Sequence, residues 1–212
     1  MGIWPAVLTA VLWTVGTIWL VRLILRDEIR PALAPWIIFS TTMLLGLISF
    51  SLAPKATVAS GIGFFAGLIS TLPVITSIIY MILKEKREVT FNRFQKGCLS
   101  AADGIVIAWM VMKFVMGGPK AAFVANILTQ VLMVIGYTAL AERLWLAKTR
   151  VDSLFFWTMI SLGSAFATII PISQGNTLGI VFGIRGFVTA GVAVALLIRI
   201  EWRVRRVLQS AS

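Results

Sequence analysis

The 212-residue chain is 59% hydrophobic and only 13% charged, whereas soluble domains carry about 25% charged residues, so the composition excludes an ordinary soluble domain and predicts a single integral membrane domain. The net charge of +11 is concentrated in the gaps between apolar runs, which predicts contact with anionic lipid headgroups and disfavours nucleic acid as a partner. Because the sequence contains no histidine, the commonest metal ligand and acid–base group, we expect no catalytic residues, no metal and no cofactor.

Seven apolar runs follow one another along the chain, each long enough to cross an ~30 Å hydrocarbon core as a helix. They predict an all-α protein with seven transmembrane helices. In chain order, the predicted spans are 3–25, 35–52, 58–83, 97–116, 121–145, 154–171 and 177–200, followed by a short basic tail at 201–212. Four tryptophans near span ends, where amphipathic rings favour the membrane interface, are Trp4, Trp36, Trp145 and Trp202.

The basic residues predict the orientation of these helices. Fifteen of the nineteen Lys and Arg residues lie at every second gap between runs or close to the C-terminus. Short cytoplasmic loops collect Lys and Arg, so we expect the N-terminus outside and the C-terminus in the cytoplasm. The short loops fit a multi-pass protein of a bacterial inner membrane. The fifteen are Arg22, Arg26, Arg30, Lys84, Lys86, Arg87, Arg93, Lys96, Arg143, Lys148, Arg150, Arg199, Arg203, Arg205 and Arg206.

Polar side chains inside the spans are candidate solute-binding groups, because they cost free energy in lipid unless they are paired or wet. In the fifth span, Asn126, Gln130 and Tyr137 share one helix face. In the seventh span, Arg185 lies ~12 Å from the outer end, at a depth similar to that of Gln130, and Thr189 shares its face. We predict that these five residues bind a small solute, an anionic one through a cavity-facing Arg185; the alternative for Arg185 is that its side chain extends to the outer headgroups. For Asn126 and Gln130, hydrogen bonding between packed helices is an equal alternative.

Two further residues within spans are candidates for other roles. Pro73 interrupts the hydrogen-bond ladder of the third span and is a predicted hinge. Asp103 is the one carboxylate within a predicted span that lies apart from the basic gaps. It is expected to pair with a charge, either Arg185 or the basic residues of the gap before the fourth span, or to couple transport to protons.

The first three and last three predicted spans align at a shift of about 120 residues, as expected for the internal repeats of transporters. Gly16 then meets Gly136, and Trp36 meets Trp157. This alignment predicts two three-helix units and one linker helix, a 3+1+3 arrangement. The units are residues 3–84 and 121–200, and the linker helix is 97–116.

The second unit carries a pattern at 139–157, which reads A-L-A-E-R-L-W-L-A-K-T-R-V-D-S-L-F-F-W. Nine positions after Ala139 comes the basic Lys148, followed by the hydroxyl residue Thr149, and then by Ser153 and the aromatic Trp157. This pattern resembles that of the SWEET sugar transporters and the wider PQ-loop group, with Ala-Leu in place of Pro-Gln.

The resemblance implies a seven-helix transporter that moves a small polar or anionic solute by alternating access. The solute site would lie between the two three-helix units. The alternative is a non-transporting receptor, assembly factor or complex subunit, whose basic cytoplasmic loops contact lipid, a protein partner or a second copy of the chain. The absent Pro-Gln pair favours the alternative, and Arg185 opposite Gln130 favours transport.

Overall fold

The computed structural model describes residues 3–51, 57–59, 61–116 and 118–210, and within these ranges it is entirely helical apart from short connections. Within the described residues, seven helices are long and apolar enough to cross a membrane, which confirms the predicted all-α, multi-pass architecture. Residue 52 of the second predicted span, residue 60 of the third and residues 211–212 of the tail lie outside the described residues. The helices are α1 (Trp4–Leu25), α2 (Leu33–Ser51), α3 (Ile62–Lys84), α4 (Arg93–Val111, continued by a π-helical turn at Met112–Met116), α5 (Gly118–Leu146), α6 (Leu154–Gln174) and α7 (Thr177–Ser210).

Several helix ends differ from the predicted ones: α3, for example, begins at Ile62 rather than at residue 58. Three further ends differ for local reasons. Helix α4 begins four residues early because Asn92 caps it: the Asn92 side chain accepts from the Gln95 amide at 2.7 Å, and the Gln95 side chain accepts from the Asn92 amide. Helix α6 continues past Pro171 until Gly175, whose positive φ of 61° terminates it. Helix α7 continues to Ser210, so the described part of the basic tail is helical.

Six helices form a ring, and the fourth lies outside it. Around the ring, α1 contacts α3, α3 contacts α2, α2 contacts α5, α5 contacts α7, α7 contacts α6, and α6 contacts α1. Helix α4 packs on α5 and α2 through one face that carries Cys98, Ala102 and Trp109. The Trp109 indole donates to the Ser49 hydroxyl of α2 at 2.7 Å, which fixes α4 against the ring.

Glycines allow close approach where the two halves of the ring meet. Gly16 of α1 faces Met159 of α6, and an added Cβ would lie 3.0 Å from the Met159 Cβ. Gly136 of α5 faces α2, and an added Cβ would lie 2.7 Å from the Phe39 ring. These contacts bring α1 close to α6 and α5 close to α2.

Candidate functional site

All six ring helices contribute to one central cavity of about 30 Å³. That space is enough for a water molecule and far below the ~300–1,000 Å³ of small-molecule sites. Its wall combines aromatic rings, a few hydroxyls and one guanidinium. The lining residues are Trp13, Trp36, Phe39, Met43, Gly67, Ser70, Thr71, Met133, Tyr137, Phe156, Trp157, Ile160, Ser164, Phe182, Arg185 and Gly186.

Aromatic rings close the end of the cavity that faces the basic loops. Trp36 and Trp157, both 2% exposed or less, each lie three residues into α2 and α6. Their ring centroids are 6.1 Å apart. Tyr137 lies 5.6 Å from Trp157 and 4.8 Å from Phe39. These four rings, which we call the inner closure, join α2, α5 and α6 across the centre of the ring.

A second aromatic group closes the opposite end. The centroids of Phe50 and Phe64 lie 5.3 Å apart, and those of Phe64 and Phe182 lie 4.2 Å apart. A Cβ on Gly63 would lie 2.2 Å from the Phe182 ring, so this ring depends on a glycine for its place. The three phenylalanines, which we call the outer closure, join α2, α3 and α7. An aromatic group therefore lies at each end of the cavity.

Arg185 is the cationic group of the cavity wall. Its Nε donates to the Gln130 Oε1 at 2.7 Å, and its guanidinium carbon lies 5.0 Å from the centroid of the Phe182 ring. The Gln130 amide in turn donates to the Asn126 Oδ1 at 3.2 Å. Among the described residues, no carboxylate pairs with Arg185. The guanidinium is thus held by one amide and one aromatic face, and its positive charge is not neutralised.

The five predicted solute-binding residues meet at the contact between α5 and α7, but they do not all reach the cavity. Arg185 and Tyr137 line it, whereas Asn126, Gln130 and Thr189 do not. Asn126 is fully buried, and Gln130 nearly so. The Thr189 hydroxyl donates to the Arg185 carbonyl at 2.8 Å within its own helix. Gln130 therefore holds Arg185, and Asn126 holds Gln130. Arg185 and Tyr137 present their side chains to the cavity.

The structure separates Pro73 and Asp103 from this site. Pro73 lies on the exposed face of α3, while its neighbours Ser70 and Thr71 line the cavity. The Ser77 hydroxyl donates to the Pro73 carbonyl at 2.7 Å. Asp103 lies on the exposed face of α4, outside the ring, and none of the ion pairs within the described ranges includes it.

Sequence reasoning missed several wall residues, above all Trp36. Three of the four tryptophans expected at interfaces, Trp4, Trp145 and Trp202, are exposed, but Trp36 is buried in the core. A signal was present, because the repeat alignment pairs Trp36 with Trp157, and the structure stacks these two rings. The other missed residues, such as Trp13 and Ile160, lie in continuous apolar runs that carry no local signal.

Charged residues gather on the side of the inner closure. Arg30 donates to Asp27 at 2.7 Å, Arg87 lies 3.7 Å from Asp27, and Arg87 also pairs with Glu85. The hydrogen bond from Arg30 lowers the pKa of Asp27. These ion pairs link the loop between α1 and α2 to the loop between α3 and α4.

A buried carboxylate lies in the α5–α6 connection. Asp152 is 1% exposed and accepts from the Ser153 amide at 2.7 Å. Burial raises its pKa from 3.8 to about 6, although the Ser153 amide and the charge of Arg143 act in the opposite direction.

The described residues contain no cluster of three or more His, Cys, Asp or Glu side chains that could hold a metal. The cavity wall offers binding chemistry: a cation for an anionic group, hydroxyls for hydrogen bonds and flat aromatic faces.

Comparisons with protein-family models, curated proteins and solved structures found no match.

Proposed function

We propose that this protein is a membrane transporter that moves a small polar or anionic solute by alternating access, as its resemblance to the SWEET and PQ-loop proteins implies. The observation that carries the proposal is the central cavity, which has Arg185 in its wall and a separate aromatic closure at each end. In this proposal the two aromatic closures separate the cavity from the two membrane faces, and the structure represents an occluded state. Because the cavity is too small for a solute, binding requires one closure to part.

Two related three-helix units form part of this proposal, and the helix contacts support them. Exchanging α1 with α5, α2 with α6 and α3 with α7 reproduces every neighbour pair of the ring. Helix α4 remains outside, as a linker between the units would. A ring built from two unrelated sets of three helices has no reason to keep its neighbours under this exchange.

Equivalent residues also take equivalent places in the two units. Gly16 contacts Met159, and Gly136 contacts Ile38 and Phe39. Gly16 and Gly136 are 120 positions apart, and so are Phe39 and Met159. The second contact is therefore the equivalent of the first in the other unit. Five cavity pairs are related by a shift of about 120: Trp13 with Met133, Trp36 with Trp157, Phe39 with Ile160, Met43 with Ser164, and Gly67 with Gly186.

The orientation belongs to the proposal as well. Basic residues collect on the side of the inner closure, so we assign that side to the cytoplasm, with the N-terminus outside, and the membrane to a bacterial inner membrane. The inner closure then controls access from the cytoplasm, and the outer closure controls access from outside. Pro73, within α3, is the proposed hinge.

One observation favours a non-transporting membrane component as the second candidate. Helix α5 runs without a break through Ala139 and Leu140, where the resembled pattern has Pro-Gln. Both residues are buried in the packed core. Without a proline, this half of the ring lacks one point of flexibility, which suits a rigid subunit with a basic cytoplasmic face.

A thermal-shift screen of the detergent-purified protein against carboxylates, sugars, amino acids and nucleosides tests the transport proposal, because a ligand that binds the folded state raises its apparent stability. We expect an anionic hit that Arg185→Gln abolishes. Arg203→Gln, the same substitution on an exposed part of α7, is the matched control and should retain the hit. Uptake of that hit into proteoliposomes then separates transport from binding alone.

A folded, monodisperse protein that responds to none of these solutes would contradict the proposal and favour the second candidate. Loss of the hit in both variants would also contradict it, because the effect would then follow net charge rather than the cavity. Arg185→Lys distinguishes geometry from charge, since lysine keeps the charge without the planar donor pair.

A further inference from the structure

A groove of about 540 Å³ runs along the outer surface of the ring between α1 and α3. Its wall is mainly aliphatic, with three hydroxyls, and the Thr17 hydroxyl is already bonded to the Trp13 carbonyl at 2.7 Å. The groove faces the surrounding membrane, and Ser70 is the residue that it shares with the wall of the central cavity. Its lining residues are Thr14, Thr17, Ile18, Val21, Arg22, Leu25, Arg26, Ile69, Ser70 and Pro73.

The groove has the length of one membrane leaflet. On α1 it extends from Thr14 to Arg26, and twelve residues of helix advance ~18 Å. Half of an ~30 Å hydrocarbon core is ~15 Å. The groove therefore begins near the middle of the bilayer, beside Pro73, and ends at the interface on the basic side of the protein.

Two arginines lie at that interfacial end. Arg22 lies in the last turn of α1, Arg26 directly follows the helix as its C-cap, and both are exposed. Arg26 lies 3.8 Å from Glu28, and none of the ion pairs in the described ranges includes Arg22. An aliphatic channel that ends in two cations is complementary to an acyl chain that ends in an anionic headgroup. Basic pockets between helices on the cytoplasmic side bind such headgroups.

A second groove, between α5 and α7, lacks this pair of cations. It has about 210 Å³, and its wall uses the residues about 120 positions later: Val134, Tyr137, Thr138, Ala141, Val188, Thr189 and Val192. At the positions that correspond to Arg22 and Arg26, this helix carries Glu142 and Leu146. The shape is thus repeated in a smaller form, but the pair of cations belongs to the α1–α3 groove.

We propose that the α1–α3 groove is a binding site for one anionic phospholipid of the leaflet on the basic side. An acyl chain occupies the groove as far as Pro73, and the phosphate lies between Arg22 and Arg26. This inference does not depend on transport, because it concerns the outer surface of the ring. Its occupant would contact the face of α3 that carries Pro73.

Native mass spectrometry of the detergent-solubilised full chain, titrated with phosphatidylglycerol or with phosphatidylcholine, tests the site. We expect the first phosphatidylglycerol molecule to bind at least tenfold more tightly than phosphatidylcholine. The double variant Arg22→Gln and Arg26→Gln should lose most of this preference, since each basic residue near the headgroups contributes comparably to anionic binding. The double variant Arg203→Gln and Arg206→Gln, which removes the same charge from α7, should change it less than threefold.

A second pair of variants tests the groove without changing charge. Ile18→Trp places a large ring in the α1–α3 groove and should weaken the first phosphatidylglycerol about tenfold. Thr138→Trp places the same ring at the corresponding position of the α5–α7 groove and should have little effect. If either arginine variant fails to yield folded protein, this pair decides the question.

Equal affinity for the two lipids in the wild-type chain would overturn the proposal. An equal loss in the α1 and α7 arginine variants would overturn it too, because binding would then follow net charge. If the two tryptophan variants behaved alike, the headgroup would be held without the groove, which also contradicts the site. None of these outcomes bears on the central cavity, so the lipid site and the transport proposal can fail separately.

Discussion

The contact between Arg185 and Gln130 makes a quantitative prediction. Gln130→Leu keeps the size of the side chain but removes the oxygen that accepts from the Arg185 Nε at 2.7 Å. Hydrogen bonds to charged groups contribute ~1.5–3 kcal/mol in proteins, while bonds between membrane helices average ~0.6 kcal/mol and reach ~1.7 kcal/mol. We expect a loss of ~1–2 kcal/mol, because the donor is charged and Gln130 is buried.

Thermal unfolding of the detergent-purified protein measures this loss. For a chain of this length, 1 kcal/mol shifts Tm by ~2–4 °C, so Gln130→Leu should lower Tm by ~2–8 °C. Thr138→Val, on the exposed face of the same helix, removes a hydroxyl that bonds only within α5 and should lower Tm by less than ~1 °C.

A double-mutant cycle isolates the contact, because Gln130 also donates to Asn126 at 3.2 Å. In an Arg185→Met background, Gln130→Leu should lower Tm by clearly less than it does in the wild-type chain. If the full loss persisted without the guanidinium, the stability would come from the bond to Asn126. In that case, the reasoning that Gln130 holds Arg185 in the cavity wall would be refuted.

Three further substitutions test the packing and the electrostatics. Gly136→Ala should lower Tm by several degrees, since the new methyl would lie 2.7 Å from the Phe39 ring and overpacking costs ~1–3 kcal/mol. The control is Gly104→Ala, where the new methyl would have no atom within 4 Å; it should leave Tm unchanged or raise it slightly. The pKa of Asp152 is raised from 3.8 to about 6 in the folded state. Between pH ~4 and ~6, the folded state therefore binds more protons than the unfolded state. The free energy of unfolding consequently falls as pH rises through this window. Asp152→Asn should therefore match the wild-type Tm at the acidic end and exceed it at pH ~7.5, where the difference reaches up to ~3 kcal/mol; an equal Tm difference at both pH values would contradict this. Asn92→Ala should destabilise the start of α4 by ~1 kcal/mol, seen as faster amide hydrogen exchange in its first turn, and unchanged exchange there would mean that the cap contributes nothing.

The helices were predictable because their signals are local. Continuous apolar runs predict seven long helices, and the structure contains seven that can cross a membrane. Their ends were less predictable where a single side chain decides them. The cap at Asn92 extends α4 backward, and the absence of a proline or glycine after Ile200 allows α7 to continue.

The site was predictable only where a polar residue interrupts an apolar run. Arg185 and Gln130 were recognisable by their cost in lipid and by their similar depth, and they are hydrogen-bonded to each other. Trp36 was not recognisable, because the sequence around a tryptophan near a helix end is the same whether its ring faces the membrane interface or the core. Only the approach of α6, which brings Trp157 to 6.1 Å, buries it. Membrane orientation, the repeat and transport remain predictions.

The central claim is that one cavity opens alternately to the two sides of the membrane. Its most direct test is cysteine accessibility at Ser164, a fully buried residue of the cavity wall. Replacing the single cysteine by Cys98→Ala gives a background without thiols, into which Ser164→Cys is introduced. A membrane-impermeant maleimide is then applied separately to right-side-out and inside-out vesicles, with Val188→Cys, on the lipid-facing side of α7, as a control that should not react.

We expect Ser164→Cys to react from both sides, because each closure parts in turn. Reaction from one side only, or from neither, in a folded protein would contradict alternating access. The cavity would then be a fixed part of a rigid membrane subunit.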